Sequence, residues 1–489
     1  MSTESPKSSK ARARLVVLVL VLLAGLSCGP SRGEAPAVDS ITLANGLRIV
    51  AIHISGSTNV AIFTFLPMGL AFDGPRQSQW SHLVEHLVIR STVPADSAQA
   101  NAETLPDHMR LDWYGSVDNW QTGLKHQADW LSGIPFTTEN LQAEKPRVNS
   151  ECDFTARNFA THKFALAAWN QGYRHGLTNA ALKGDIARAT LEEIQKYRNE
   201  RLVVLDRAVV CVVGGVKPAQ VLAAFSRRLE SAAAAAKVPP PLKTQAVNRD
   251  MTWDLAARHL VLTWPIPATD QDDFAALIVA GQWLTMQFFA DPKLKRQTGM
   301  VLAGADLATP EGNFFYVSAS LRPEASFQEV RDAIEQPLQK LREGKGALAE
   351  VAMLGNQLSQ GMTVLPDPAS LKGQLPPNVT LAMLEMNLGL QWGMNEFHYG
   401  RQKSALARKL AAVDAKQVRQ AAANYLAGAK GSAFTLRPGQ EAASQAQAPA
   451  RGVAAPGASH LISAVGQTSL SAGSGDFPVP SIILQTVLE

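Results

Sequence analysis

The chain has 489 residues, 46 of them Lys or Arg and 42 Asp or Glu, which gives a formal net charge of +4 at pH 7. This length exceeds what one hydrophobic core usually organises, so we expect more than one domain. The small net charge and the lack of dense Lys/Arg clusters argue against nucleic-acid binding, and the 3 cysteines are too few for a disulfide scaffold.

The first residues have the pattern of an export signal. Four basic side chains precede the apolar run "LVVLVLVLLAGL", which is too short for a comfortable transmembrane helix. Residues 1–27 are therefore predicted to be a secretory signal peptide, and the rest of the chain has a formal charge of +1. Cys28 stands at the predicted cleavage point, which indicates a bacterial lipoprotein of the cell envelope lipidated at this residue. A plain secreted or periplasmic protein is the alternative.

The segment "SHLVEHLVIRST", residues 81–92, contains His82, Glu85 and His86. On a helix, residues four apart share a face, so the two histidines stack and Glu85 lies on the flank of that face. Neutral imidazole is a favoured zinc ligand, and a carboxylate beside the metal is the usual general base of a metallopeptidase. The alternative interpretation is an amphipathic helix whose histidines are ordinary core or surface residues.

The remaining sequence predicts two similar α+β halves. "ITLANGLRIVAIHI" and "NVAIFTFLPMG" read as strands, and helical periodicity begins at Ser81. Each half closes with a capped helix followed by a strand, and "ESAAAAAKVPPPLK" between the halves reads as a linker. We therefore predict the following ranges: a first half over 36–229, a linker over 230–249, a second half over 250–438, and a low-complexity segment with an apolar tail over 439–489.

Two α+β halves, an inverted zinc motif and a proline-rich connector resemble the pitrilysin and insulinase family of zinc metallopeptidases. The likeness is greatest to its short, bacterial members similar to mitochondrial processing peptidase. The resemblance implies two homologous half-domains, each an antiparallel sheet packed with helices, that form a clamshell. "NAET" matches the Asn-Ala-x-Thr strand of the family and implies that Asn101, Ala102 and Thr104 bind substrate. "GSVDNWQT", residues 115–122, is a rival placement of that strand.

The same resemblance implies the rest of the metal site. The register from Asn101 makes Glu151 the third ligand of one Zn²⁺, with Glu144 as a carboxylate that orients the ligands. Without the resemblance, these residues would be two solvated helix glutamates. Pro146 lies between them and disfavours an uninterrupted helix. If the helix restarts at Pro146, Glu144 would turn away from the site while Glu151 stays.

The chain departs from the family in the second half. Family members that act alone carry an Arg and a Tyr there that reach across to hold the substrate. The corresponding stretch, "KRQTGMVL", has Lys295 in place of the Arg and Leu302 in place of the Tyr. Lys lacks the planar guanidinium fork and Leu offers no donor. The resemblance therefore implies a homologous partner subunit that supplies the Arg and the Tyr.

Together these observations predict a zinc-dependent metalloendopeptidase of the bacterial cell envelope that cleaves peptides or unfolded protein segments with a partner subunit. His82, His86 and Glu151 would hold the metal, and Glu85 would be the general base. Two alternatives stay open. One is a catalytically inactive homologue that serves as a binding or assembly subunit, and the other is a lipoprotein with a structural metal.

Overall fold

The structure is a computed structural model that describes residues 36–438, except 71–72, 74–76, 94–96, 98, 106, 159–183, 202–204, 230–245, 247, 254–256, 310–311, 344–349 and 369–378. Four predictions concern residues outside this set: the signal peptide, lipidation at Cys28, most of the linker, and the tail from residue 439 onward. Those predictions stay predictions.

The first half is built on a six-stranded sheet. Its strands are β1 (Ala37–Thr42), β2 (Arg48–His53), β3 (Asn59–Leu66), β4 (Ala100–Thr104), β5 (Met109–Ser116) and β6 (Val209–Gly214), in the order β1-β2-β6-β3-β5-β4. The pair β2 and β6 is parallel, and the other neighbours are antiparallel. This order leaves β4 at one edge of the sheet.

The described residues of this half form the helices α1 (Trp80–Arg90), α2 (Trp120–Ser132), α3 (Thr138–Asn158), α4 (Gly184–Arg188), α5 (Leu191–Arg201) and α6 (Pro218–Leu229). Helix α1 buries Leu83, Val84, Leu87 and Val88 in the core of this half. Their helical spacing places one apolar stripe against the sheet and leaves the flank with the histidines facing away from that core.

The second half is built on a five-stranded sheet in the order β7-β11-β8-β10-β9. Its strands are β7 (Asn248–Trp253), β8 (Arg258–Pro265), β9 (Thr298–Thr309), β10 (Gly312–Leu321) and β11 (Ser432–Pro438). Its helices are α7 (Asp272–Ala290), α8 (Pro292–Gln297), α9 (Phe327–Glu343), α10 (Val351–Thr363), α11 (Leu381–Tyr399), α12 (Lys403–Ala412) and α13 (Ala415–Tyr425). Asp414 forms a capping box at the start of α13, which fixes where this helix begins.

The predicted α+β fold with two half-domains is confirmed. Each sheet also contains one parallel pair, β2 with β6 and β7 with β11, beside its antiparallel ladders. In both halves the later strand of that pair follows a capped helix, as the repeated sequence pattern predicts. Across the described ranges, no helix is both long enough and apolar enough to cross a bilayer.

Helix α11 of the second half packs on the first sheet. Phe63, Phe65 and Cys211 of that sheet form a core cluster with Trp392 and Met394 of the helix. Gly393 allows the close approach, since a Cβ there would lie 2.5 Å from Phe65 and 2.8 Å from the Cβ of Cys211. The first sheet is therefore covered on both faces, which explains the unbroken apolar runs of its central strands.

Candidate metal centre

Helix α1 presents His82 and His86 side by side. Their ring centroids lie 5.0 Å apart, as expected for residues four apart on one helix face. Both side chains are mostly buried, with 16% of His82 and 11% of His86 exposed. The interpretation that these are ordinary core or surface histidines does not account for what faces them, which is Glu151 from helix α3.

Glu151 lies between the two histidines. Its Oε2 is 3.3 Å from His82 Nε2 and 3.4 Å from His86 Nε2. Ligand atoms held about 2.0–2.1 Å from a tetrahedral zinc lie about 3.3–3.4 Å from one another. The distances from Glu151 to both imidazoles therefore suit a zinc ion between the three side chains, and two nitrogens with one oxygen are a donor set that zinc accepts.

Glu144 occupies the position behind His86. Its Oε2 is 2.8 Å from His86 Nδ1, while its Oε1 accepts hydrogen bonds from Arg90 and Arg147. A carboxylate in this position makes Nδ1 the protonated nitrogen, so the Nε2 lone pair points away from Glu144 and is available to a metal. The hydrogen bond from His86 and the two arginines lower the pKa of Glu144 against the opposing effect of burial.

Helix α3 continues through Pro146 from Thr138 to Asn158, so the helix does not restart there. The proline removes the hydrogen bond to the carbonyl of Gln142. Both residues lie on the exposed side of α3, where water can solvate that carbonyl. Glu144 and Glu151, two turns apart, consequently both face helix α1.

Glu85 lies beside this group on helix α1 and is 6% exposed. Its Oε2 accepts a hydrogen bond of 2.6 Å from the hydroxyl of Thr104. Burial raises the pKa of Glu85 above its ordinary value, although the neighbouring His82 and His86 oppose this shift. A carboxylate with a raised pKa is a stronger proton acceptor than an ordinary glutamate, which suits a general base.

The protonation states of His82, His86 and Glu151 depend on one another. Burial opposes a charge on His86, but hydrogen bonds to Glu144 and Glu151 raise the pKa of His86 to about 8. Burial likewise opposes the Glu151 carboxylate, but His82 and His86 hold the pKa of Glu151 well below its ordinary range. A cation that binds here would therefore displace protons from the imidazoles.

The residues predicted to bind substrate lie on β4, which pairs with β5 and forms the edge of the six-stranded sheet. The rival segment, 115–122, instead spans the end of β5 and the start of α2. The hydroxyl of Thr104 donates a hydrogen bond to Glu85, so its proton is used by a contact within the protein. The Oδ1 atom of Asn101 is buried and has no hydrogen-bond partner within the described part of the chain.

Lys295 and Leu302, which the resemblance aligns with an Arg and a Tyr, lie on neighbouring elements. Lys295 is exposed on the short helix α8, and Leu302 is buried on the edge strand β9. The described residues give Lys295 no contact with the group around Glu151, and Leu302 has no polar atom in its side chain.

A second group of metal-ligand residue types exists within the described ranges: Asp107, His108 and His398. Asp107 is 2.8 Å from His108 Nδ1 and 2.7 Å from His398 Nε2. These are hydrogen-bond distances, shorter than the spacing of ligands around a tetrahedral zinc. The group is therefore a hydrogen-bonded cluster that joins the loop after β4 to the end of α11.

Several supporting residues were not predicted from the sequence. Gln79 lies 3.0 Å from His82 Nδ1, Arg90 contacts Glu144, and Asp73 accepts a hydrogen bond from the backbone of Ser81. For Arg90 a signal existed, because it lies four residues after His86 on the same helix face. Gln79 precedes the helix in a left-handed conformation, so helical spacing does not predict its contact with His82. Asp73 lies outside the helix, and no local pattern identifies it.

Comparison with known proteins finds similarity to proteases. Residues 188–358 match the family described as "Peptidase M16 inactive domain", a range that begins after Glu151 and contains none of the three predicted ligands. The chain is 22% identical over 396 residues to the zinc protease PqqE of Helicobacter pylori, covering 74% of this chain and 87% of that protein.

Solved structures share the fold. A protease from Helicobacter pylori superimposes with a TM-score of 0.62 at 19% identity, covering 82% of this chain and 100% of that one. A peptidase M16 inactive domain from Pseudomonas fluorescens gives a TM-score of 0.62 at 14% identity over 82% and 98% of the two chains. Pitrilysin gives 0.59 at 14% identity, and the match covers 83% of this chain but 45% of pitrilysin.

Proposed function

The chain belongs to the M16 peptidase family, and from this premise we propose that it is a zinc-dependent metalloendopeptidase of the cell envelope. One observation carries the proposal: Glu151 lies 3.3 and 3.4 Å from the Nε2 atoms of two histidines on one helix. Glu85 on the same helix gives that group a neighbouring base. A binding protein would not require this combination of ligands and base.

Each residue has a defined task in the proposed reaction. His82, His86 and Glu151 would hold one zinc ion, which when bound polarises a scissile carbonyl and lowers the pKa of water. Glu85 would accept the proton of the attacking water at the carboxylate oxygen that Thr104 does not hold, and would later return that proton to the leaving amine. Glu144 keeps His86 in the tautomer that binds metal.

We propose that the substrate is an extended peptide that adds a strand to β4. Among the described strands none pairs with the outer edge of β4, so its backbone can pair with a peptide. The Asn101 side chain offers a buried acceptor for the same peptide. Main-chain pairing would supply most of the affinity, so we expect broad specificity for peptides and unfolded segments.

We also propose that a homologous subunit completes the cleft. Lys295 and Leu302 cannot provide the bidentate and hydroxyl contacts that the family uses to hold substrate. A substrate placed poorly by about 1 Å can react about 10²-fold more slowly. The chain alone should therefore cleave peptides feebly, and a sister chain with the Arg and the Tyr should restore the rate.

The test uses the purified full chain, alone and mixed with a homologue that lacks His-x-x-Glu-His but keeps the Arg and the Tyr. We expect one zinc per chain by elemental analysis, weak cleavage of a peptide library by the chain alone, and stronger cleavage by a heterodimer isolated by size exclusion. The Glu85→Gln variant is the matched control, with zinc retained and turnover reduced roughly 10²- to 10⁴-fold.

The main alternative is an inactive homologue that binds or assembles without chemistry. The replaced Arg and Tyr and the "inactive domain" match over residues 188–358 favour it. The same experiment separates the two functions. A chain that binds zinc but cleaves no peptide with or without the homologue would support the alternative, and full activity of a monomer would remove the partner from the proposal.

Export to the envelope, with lipid on Cys28, is the remaining part of the proposal. Stable membrane attachment needs more than one acyl chain, which the modified cysteine of a bacterial lipoprotein carries. Labelled fatty acid should enter the parent protein and not the Cys28→Ser variant. A parent protein found wholly in the soluble periplasm, without label, would exclude the anchor.

A further inference from the structure

Gln79 has a backbone conformation that its residue type disfavours. With φ 66° and ψ 13°, it is the one non-glycine residue at positive φ in the part of the chain that the structure describes. The left-handed region brings Cβ close to the following carbonyl oxygen, so residues other than glycine adopt it at a cost. Gln79 is also buried, with 3% exposed, so the conformation is held by its surroundings.

Helix capping does not explain this conformation. Gln79 stands immediately before the first residue of α1, where a polar side chain often accepts a hydrogen bond from a free backbone N–H. Its side chain makes no such bond. Asp73 instead accepts the N–H of Ser81 at 3.2 Å, and Tyr197 donates its hydroxyl to the same carboxylate oxygen. The side chain of Gln79 is therefore available for a hydrogen bond other than a helix cap.

That side chain contacts His82. Gln79 Oε1 lies 3.0 Å from His82 Nδ1, and an amide oxygen can only accept a hydrogen bond. Nδ1 must therefore carry the proton, which leaves the lone pair on Nε2, the nitrogen 3.3 Å from Glu151. Gln79 holds His82 as Glu144 holds His86, so each histidine of the group has its own acceptor at Nδ1.

We propose that Gln79 is a positioning residue for the metal site, and that its left-handed backbone is retained because it brings the amide oxygen to His82. The inference rests on the proposed zinc function. If Gln79 has this role, fold stability and zinc affinity should change independently when it is replaced. Its backbone should weaken the fold, and its side chain should strengthen metal binding.

The experiment measures zinc affinity by chelator competition, and the thermal unfolding of the metal-free full chain, for three variants. Gln79→Gly and Gln79→Ala both remove the amide oxygen, so both should bind zinc about 10- to 100-fold more weakly than the parent. They differ in backbone strain, which glycine relieves, so metal-free Gln79→Gly should melt about 2 °C above Gln79→Ala. Gln79→Glu keeps an acceptor oxygen and should bind zinc within a few-fold of the parent.

A residue with only a structural role would change zinc affinity in proportion to stability, and the more stable glycine variant would then bind zinc better than the alanine variant. That result, or parental zinc affinity in Gln79→Gly, would overturn the inference while leaving the proposed peptidase intact. A parent chain that binds no zinc would refute the proposed function itself, and the role of Gln79 with it.

Discussion

Thr104 donates a hydrogen bond of 2.6 Å to Oε2 of Glu85, and this bond joins the edge strand β4 to the helix that carries both histidines. Because one carboxylate oxygen is held, the other is left to accept a proton. The strand that we expect to pair with the peptide is therefore also the strand that orients the proposed base.

Replacing Thr104 with Val keeps the shape of the side chain and removes this bond. A hydrogen bond to a charged group contributes about 1.5–3 kcal/mol, so we expect kcat to fall roughly 10- to 100-fold with little change in KM. Steady-state peptidase kinetics on the zinc-loaded chain, mixed with the proposed partner subunit, measures both constants. Thr104→Ser keeps the hydroxyl and should retain most of the rate, and equal losses in the two variants would argue against an orienting role.

The two glutamates of α3 should differ in their effect on metal binding. Glu151→Gln removes a proposed ligand and its negative charge, so it should weaken zinc binding more than about 100-fold. Glu144→Gln should cost about 10-fold, because an amide oxygen can still accept a hydrogen bond from His86. Chelator competition at one pH gives both affinities, and the reverse order would mean that the two carboxylates have exchanged roles.

His259 predicts a dependence of stability on pH. It is 3% exposed on β8, and burial lowers its pKa from 6.5 to about 4. Between these values the unfolded chain binds a proton that the folded chain does not, so the free energy of unfolding falls as the pH falls. Relative to His259→Gln, the parent should lose about 2 kcal/mol more between pH 7 and pH 5. Urea unfolding at each pH tests this, and parallel curves would contradict it.

The contact between α11 and the first sheet can be tested at a glycine. The Cβ added in Gly393→Ala would lie 2.5 Å from Phe65, so we expect a loss of about 1–3 kcal/mol in unfolding free energy. Gly361→Ala is the matched control, because nothing lies within 4 Å of a Cβ at that helix position. The control should be neutral or stabilising by up to about 1 kcal/mol. Equal behaviour of the two variants would show that α11 can move away from the sheet.

The sequence by itself determined the features that depend on neighbours along the chain. The spacing of His82 and His86 predicts two imidazoles on one helix face, because a helix repeats every 3.6 residues. The repeated pattern of capped helix and strand predicts both β6 and β11. The family resemblance then extended these local patterns to Glu144 and Glu151, whose positions no periodicity near His82 could predict.

Only the tertiary structure decided the relationships that join distant segments. It brings Glu151 across to His82, continues α3 through Pro146, and covers the first sheet with α11 of the second half. It also gives Gln79 a left-handed backbone, which no sequence pattern predicts for glutamine. The physical reason is that a local propensity of a few tenths of a kcal/mol per residue can be overridden by burial and hydrogen bonding between elements, and those contacts form only when the chain is folded.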